Sequence, residues 1–127
     1  MDEFSIRREP APMKKLLLSA LISPEMHPDR VGERITALRE ALGLSKAEFA
    51  DSLQLDRSTL TKVEQGSRGL DVVVGARIAD LYNAGMDYIY RGQLSDVPEP
   101  LRPKVMAYTH SARAARLFGT KSVTIAP

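Results

Sequence analysis

Between Ser45 and Gly66 the chain encodes two short helices separated by only three residues, a spacing that few folds can use. Ser45-Lys46-Ala47-Glu48 is a capping box: the Ser hydroxyl and Glu carboxylate satisfy amides that a helix start leaves without partners. The helix it opens runs to about Leu53, with Phe49, Ala50 and Leu53 apolar. Gln54-Leu55-Asp56 is the turn. Asp56 is placed to cap a second helix whose apolar face is Leu60 and Val63, and Gly66 stops it. A connection this short forces the helices to cross in contact, so a residue near the middle of the first must be small, and Ala50 is that residue. Leu55, Leu60 and Val63 then fix the crossing angle. The second helix projects, with Arg57, Ser58, Thr61 and Lys62 along its outer side.

Helical signals flank this pair. Val31, Ile35, Leu38 and Leu42 have helical spacing, and Gly43 ends that helix. Asp71 caps another through about Tyr82, with Val72, Val74, Ile78, Ala79 and Tyr82 inward, and a short turn of helix covers Met86 to Arg91. Val97-Pro98-Glu99-Pro100 reads as a linker, followed by a basic helical stretch from about Lys104 to Phe118. Before the central block, Met13 to about Ile22 can be helical, and Pro24 and Pro28 mark a break. Phe4–Arg7 and Lys121–Ile125 alternate apolar with polar residues, the period of a strand. The expected fold is mainly α, with the termini available for a small β pairing. Its division is an N-terminal extension with a short helix (1–30), a helical domain (31–96) and a basic C-terminal extension (97–127).

Composition narrows the function. The 127 residues contain no cysteine, which removes disulfides and thiolate metal sites. His27 and His110 stand apart without carboxylate clusters, so no metal or other cofactor is expected. The apolar run Leu16–Ile22 is too short for a membrane span. It also lacks a small-x-small cleavage site and runs into Ser23-Pro24-Glu25, so it is not read as a signal peptide. A soluble cytoplasmic protein is expected. No glycine-rich phosphate loop and no nucleophile motif is present, so catalysis is not expected. The formal charge of +2 is uneven, with −2 over residues 31–96 and +4 over 97–127. Phosphate neutralisation is local, so the face that carries the bases matters more than the total.

Several short matches lie together in the central block: Leu38-Arg39, Gly43-Leu44-Ser45, Phe49-Ala50, Ser58-Thr59-Leu60, Val63-Glu64-Gln65-Gly66 and Met86-Asp87-Tyr88-Ile89. With them, Arg34 to Gly92 resembles the Cro/repressor-type (lambda repressor-like, XRE family) helix-turn-helix domain. The resemblance implies a five-helix domain that binds double-stranded DNA as a homodimer on a two-fold-related operator. It also implies a transcriptional regulator, most simply a repressor, of bacterial or phage type. Residue by residue, it suggests Arg57, Ser58, Thr61 and Lys62 as base contacts in the major groove, and Lys46, Thr59 and Arg68 as phosphate contacts. Arg39 and Glu64 would form a structural ion pair tying the first helix to the end of the recognition helix. Three positions depart from the pattern. Gln54 stands where glycine is usual, Lys46 replaces a glutamine, and Gly75 leaves a small gap inside the fourth helix for a flanking segment to fill. Taken singly, Arg57, Lys62 and Lys46 could as well be solvated surface charges, and Tyr82, Tyr88 and Tyr90 are read as packing residues. Two further readings use the same fold: an antitoxin-like module whose terminal extensions bind a protein partner, and a phage DNA-packaging or assembly factor.

Overall fold

The computed structural model describes residues 24–118, and among them lie six α-helices, three 3-10 turns and no strand. A turn at Pro24–Met26 leads into α1 (Pro28–Leu42). There follow α2 (Lys46–Ser52), α3 (Arg57–Glu64), α4 (Val72–Tyr82) and α5 (Met86–Arg91). Turns at Leu94–Asp96 and Glu99–Leu101 then bring the chain to α6 (Arg102–Phe118). The fold is mainly α. The suggested pairing of 4–7 with 121–125, and the suggested helix over 13–22, fall outside the described residues.

Local chemistry explains most helix ends. Pro28 does not break the chain but opens α1 three residues before Val31, because a proline in the first turn gives up an N–H that has no intrahelical partner. Gly43 closes α1 in a left-handed conformation (φ 74°), letting the Leu44 N–H reach the Arg39 carbonyl at 3.1 Å. The capping box of α2 is complete: Glu48 N–H donates to Ser45 Oγ at 3.1 Å, and Ser45 N–H donates to Glu48 Oε1 at 2.8 Å. Asp71 accepts from the Val73 N–H at 3.3 Å. Asp56 does not cap. Its backbone is extended as an N-cap should be, yet its carboxylate accepts no bond from the helix. Gln54 takes the left-handed conformation (φ 55°) that the turn demands, at a cost of about 1–2 kcal/mol for a non-glycine residue.

α1 is the central element, packed against α3, α5 and α6. Ile35, Leu38, Phe49, Leu53, Leu60, Ile78 and Ile89 are fully enclosed, each stabilising the fold by roughly 1.5–3 kcal/mol. Ala50 is buried where α2 meets α3. The inward reading of Val72 was wrong, since it is 62% exposed while Val74 and Ile78 are buried. Two residues of helix turn the side chain through about 200°, so Val72 cannot share a face with Val74. Gly75 leaves no gap either. A Cβ there would lie 2.7 Å from the Tyr90 hydroxyl, which fills the space and donates toward the Leu70 and Asp71 carbonyls, both at 3.2 Å. Val97 and Val105 are buried in the same core, so the helix that follows the proline-rich stretch seats on α1.

Gly32 sets the closest helix contact. A Cβ added to it would run into the Val63 carbonyl oxygen and stand 2.9 Å from that of Glu64, both on the last turn of α3. These are backbone atoms and cannot swing aside. Gly32→Ala should therefore cost at least about 1–3 kcal/mol, seen as a lowered denaturant midpoint. Gly69→Ala, with open space around it, should leave the midpoint within about 1 kcal/mol of the parent protein.

Candidate nucleic-acid interface

α3 is eight residues long and has two unlike sides. Leu60 and Val63 are buried against the core, while Arg57, Ser58 and Lys62 are exposed and Thr61 is half-buried. At about 100° per residue these four outer positions span one side of the helix, opposite Leu60 and Val63. Thr59 is half-buried at the margin, Lys46 occupies the first position of α2 and is half-buried, and Arg68 is exposed in the loop after α3. α2 packs directly on α3. The side chains proposed for base contact thus share α3, and those proposed for phosphate contact come from α2, α3 and the loop that follows.

Behind this surface the end of α3 is clamped to α1. Arg39 Nε donates to Glu64 Oε2 at 2.8 Å and Nη2 to Oε1 at 3.3 Å, a two-pronged pair with side chains 9% and 5% exposed. Arg39 Nη1 also donates to the Leu44 carbonyl at 3.0 Å. Burial works against the guanidinium charge, but hydrogen bonding and attraction to Glu64 outweigh it and raise the Arg39 pKa above its ordinary value. The charge is therefore permanent. Removing Glu64 leaves the nearly buried Arg39 only the long charge contact to the half-exposed Glu40 carboxylate at 3.4 Å, so Glu64→Ala should lose up to about 3–5 kcal/mol of stability. The loss should appear as a lowered melting temperature. A variant with the parent melting temperature would show that the pair carries no such load.

A second arginine organises the middle of α1. Arg34, 4% exposed, donates through Nη1 to the carbonyls of Ile89 at 2.9 Å and Glu25 at 2.8 Å, and pairs through Nη2 with the Glu25 carboxylate. The Tyr88 hydroxyl donates to the Arg34 carbonyl at 3.1 Å, and burial pushes its pKa up. Partial burial alone would raise the Glu25 pKa, but Arg34 and Arg30 together hold it below the ordinary value. A lowered folded pKa means that the contribution is full above the unfolded value, about 4.3, and is lost as pH falls through the folded one. Glu25→Gln should lower the melting temperature at pH 7, and the difference should close in strong acid. A gap independent of pH would exclude this origin.

Residues 30–87 match the family described as Helix-turn-helix domain. No curated protein and no solved structure matches the chain. The match supports a helix-turn-helix domain within these residues, with α2 and α3 as the helix pair and α3 the one that projects. Some of its supports were not visible in the sequence. Arg77, from α4, donates to the Leu53 carbonyl at 2.8 Å and so closes the end of α2 from a distance. Gly32 and Arg34 likewise act across the fold, and no local pattern marks either one. The only available signal was a glycine and a charge inside the otherwise amphipathic α1.

Proposed function

We propose that this protein is a cytoplasmic transcriptional regulator of bacterial or phage type that binds specific double-stranded DNA as a homodimer, most simply as a repressor. The observation that carries the reading is the two-sidedness of α3: a short helix locked at its base presents a guanidinium, an ammonium and a hydroxyl on one exposed side. Such a helix fits the major groove, where Arg57 and Lys62 can reach the O6 and N7 of guanine. Ser58 serves either base type, and Thr61 offers a methyl to thymine. Lys46, Thr59 and Arg68 hold the phosphates, with Lys46 at the first position of α2.

Binding of this kind is measured on duplexes selected from a random pool, at several salt concentrations. Affinity should fall by roughly 10³ or more between about 50 and 200 mM salt, and the enriched motif should show two half-sites about 34 Å apart. Arg57→Ala should cost about 1–3 kcal/mol on the best site and relax preference at one position, whereas Lys46→Ala should weaken all sequences alike and flatten the salt slope. No enriched motif, or the same mismatch profile for both variants, would refute the assignment of roles.

A further inference from the structure

A cleft of about 350 Å³ opens between the turn at Pro24–Met26, α1, α5 and α6, and none of its lining residues belongs to α2 or α3. We propose that it binds a small organic anion: an apolar body carrying one carboxylate or phosphate group. The lining mixes two chemistries, both of them present along α6. Leu94, Val105 and Met106 are apolar, and Met106 is 52% exposed there, a large apolar surface that a ligand body would cover. Beside them stand the guanidinium groups of Arg34, Arg91 and Arg113 and the His110 imidazole.

Glu25 is the one carboxylate in the lining and is shared between Arg30 and Arg34. With Asp87 beside Arg91 and Glu33 beside Arg113 also counted, four arginines face three carboxylates and one positive charge is in excess. Arg34 is fixed at its edge by two carbonyls and that carboxylate and needs no rearrangement to contribute its field. Two arginines retain donors. Arg113 uses Nε toward Glu33 at 3.2 Å, while its two terminal nitrogens make no hydrogen bond to another described residue. Arg91 stands 3.9 Å from Asp87, beyond hydrogen-bonding distance, and is largely exposed. Planar guanidinium groups beside apolar side chains are the arrangement that recognises a carboxylate or phosphate with an organic tail. A cation would meet repulsion here, and an uncharged molecule would leave the arginines unanswered.

The test is isothermal titration of the full chain with phenyl phosphate and phenylacetate, with benzylamine, benzyl alcohol and inorganic phosphate run alongside. Saturable binding of at least one aromatic anion is expected, at least tenfold tighter than benzylamine, benzyl alcohol or inorganic phosphate. Arg113→Gln and Arg91→Gln should each weaken it severalfold. Arg91→Gln alone decides the matter if the other substitution disturbs folding, because Arg91 lies on the surface. Arg57→Ala with Lys62→Ala should leave the anion affinity unchanged, which separates this site from the phosphate-binding face of α3. The proposal is overturned if neither aromatic anion binds. It is equally overturned if binding survives the cleft substitutions or is abolished by those on α3. Inorganic phosphate binding as tightly as phenyl phosphate would overturn the apolar subsite.

Discussion

α1 lies against the last turn of α3 at a distance that only a glycine permits, and the geometry of the interface depends on that approach. With no side chain at Gly32, the helix backbone comes up to the carbonyls of Val63 and Glu64. One and two turns further along α1, Ile35 and Arg39 take up positions in the core and against Glu64. Close contact and charge pairing thus hold the same pair of helices at two points, which fixes the roll of α3 as well as its place. The roll matters, because it decides that Arg57, Ser58 and Lys62 face solvent while Leu60 and Val63 do not.

The clamp is unlike a typical surface ion pair, whose worth is small because water screens both charges. Here little water reaches either side chain, and Arg39 also satisfies the Leu44 carbonyl at the end of α1. Its function is positional: a buried pair stabilises little relative to an apolar contact of the same shape, but it tolerates few alternative arrangements.

What could be read from the sequence was local. The capping box at Ser45 and Glu48, the left-handed Gly43, the small Ala50 and the apolar spacing of Leu60 and Val63 act within a few residues, and the helix pair follows from them. Apart from the Arg39–Glu64 pair, which the family resemblance implied, contacts made across the fold could not be read. Tyr90 fills the place at Gly75, Arg77 closes α2, and α6 seats Val105 in the core, all through encounters between distant segments. Asp56 misled for another reason, since a carboxylate at the right position satisfies helix amides only if its rotamer turns toward them. The candidate interface was legible as a set of exposed residues on one helix. Exposure looks the same for a groove-reading arginine and a solvated one, so chemistry at the DNA must separate them.

The brevity of α3 has a thermodynamic consequence. Eight residues are well short of the roughly 12–15 at which an isolated helix becomes even marginally stable in water. Its outer face therefore exists only while the core beneath holds it. Any grip made by that face has an apparent affinity reduced by the fraction of molecules in which α3 is docked. Heat, or a distant cavity severe enough to undock α3 in a sizeable fraction of molecules, would then read out as weaker binding, although no contacting residue has changed. For this protein, affinity is also a gauge of the core.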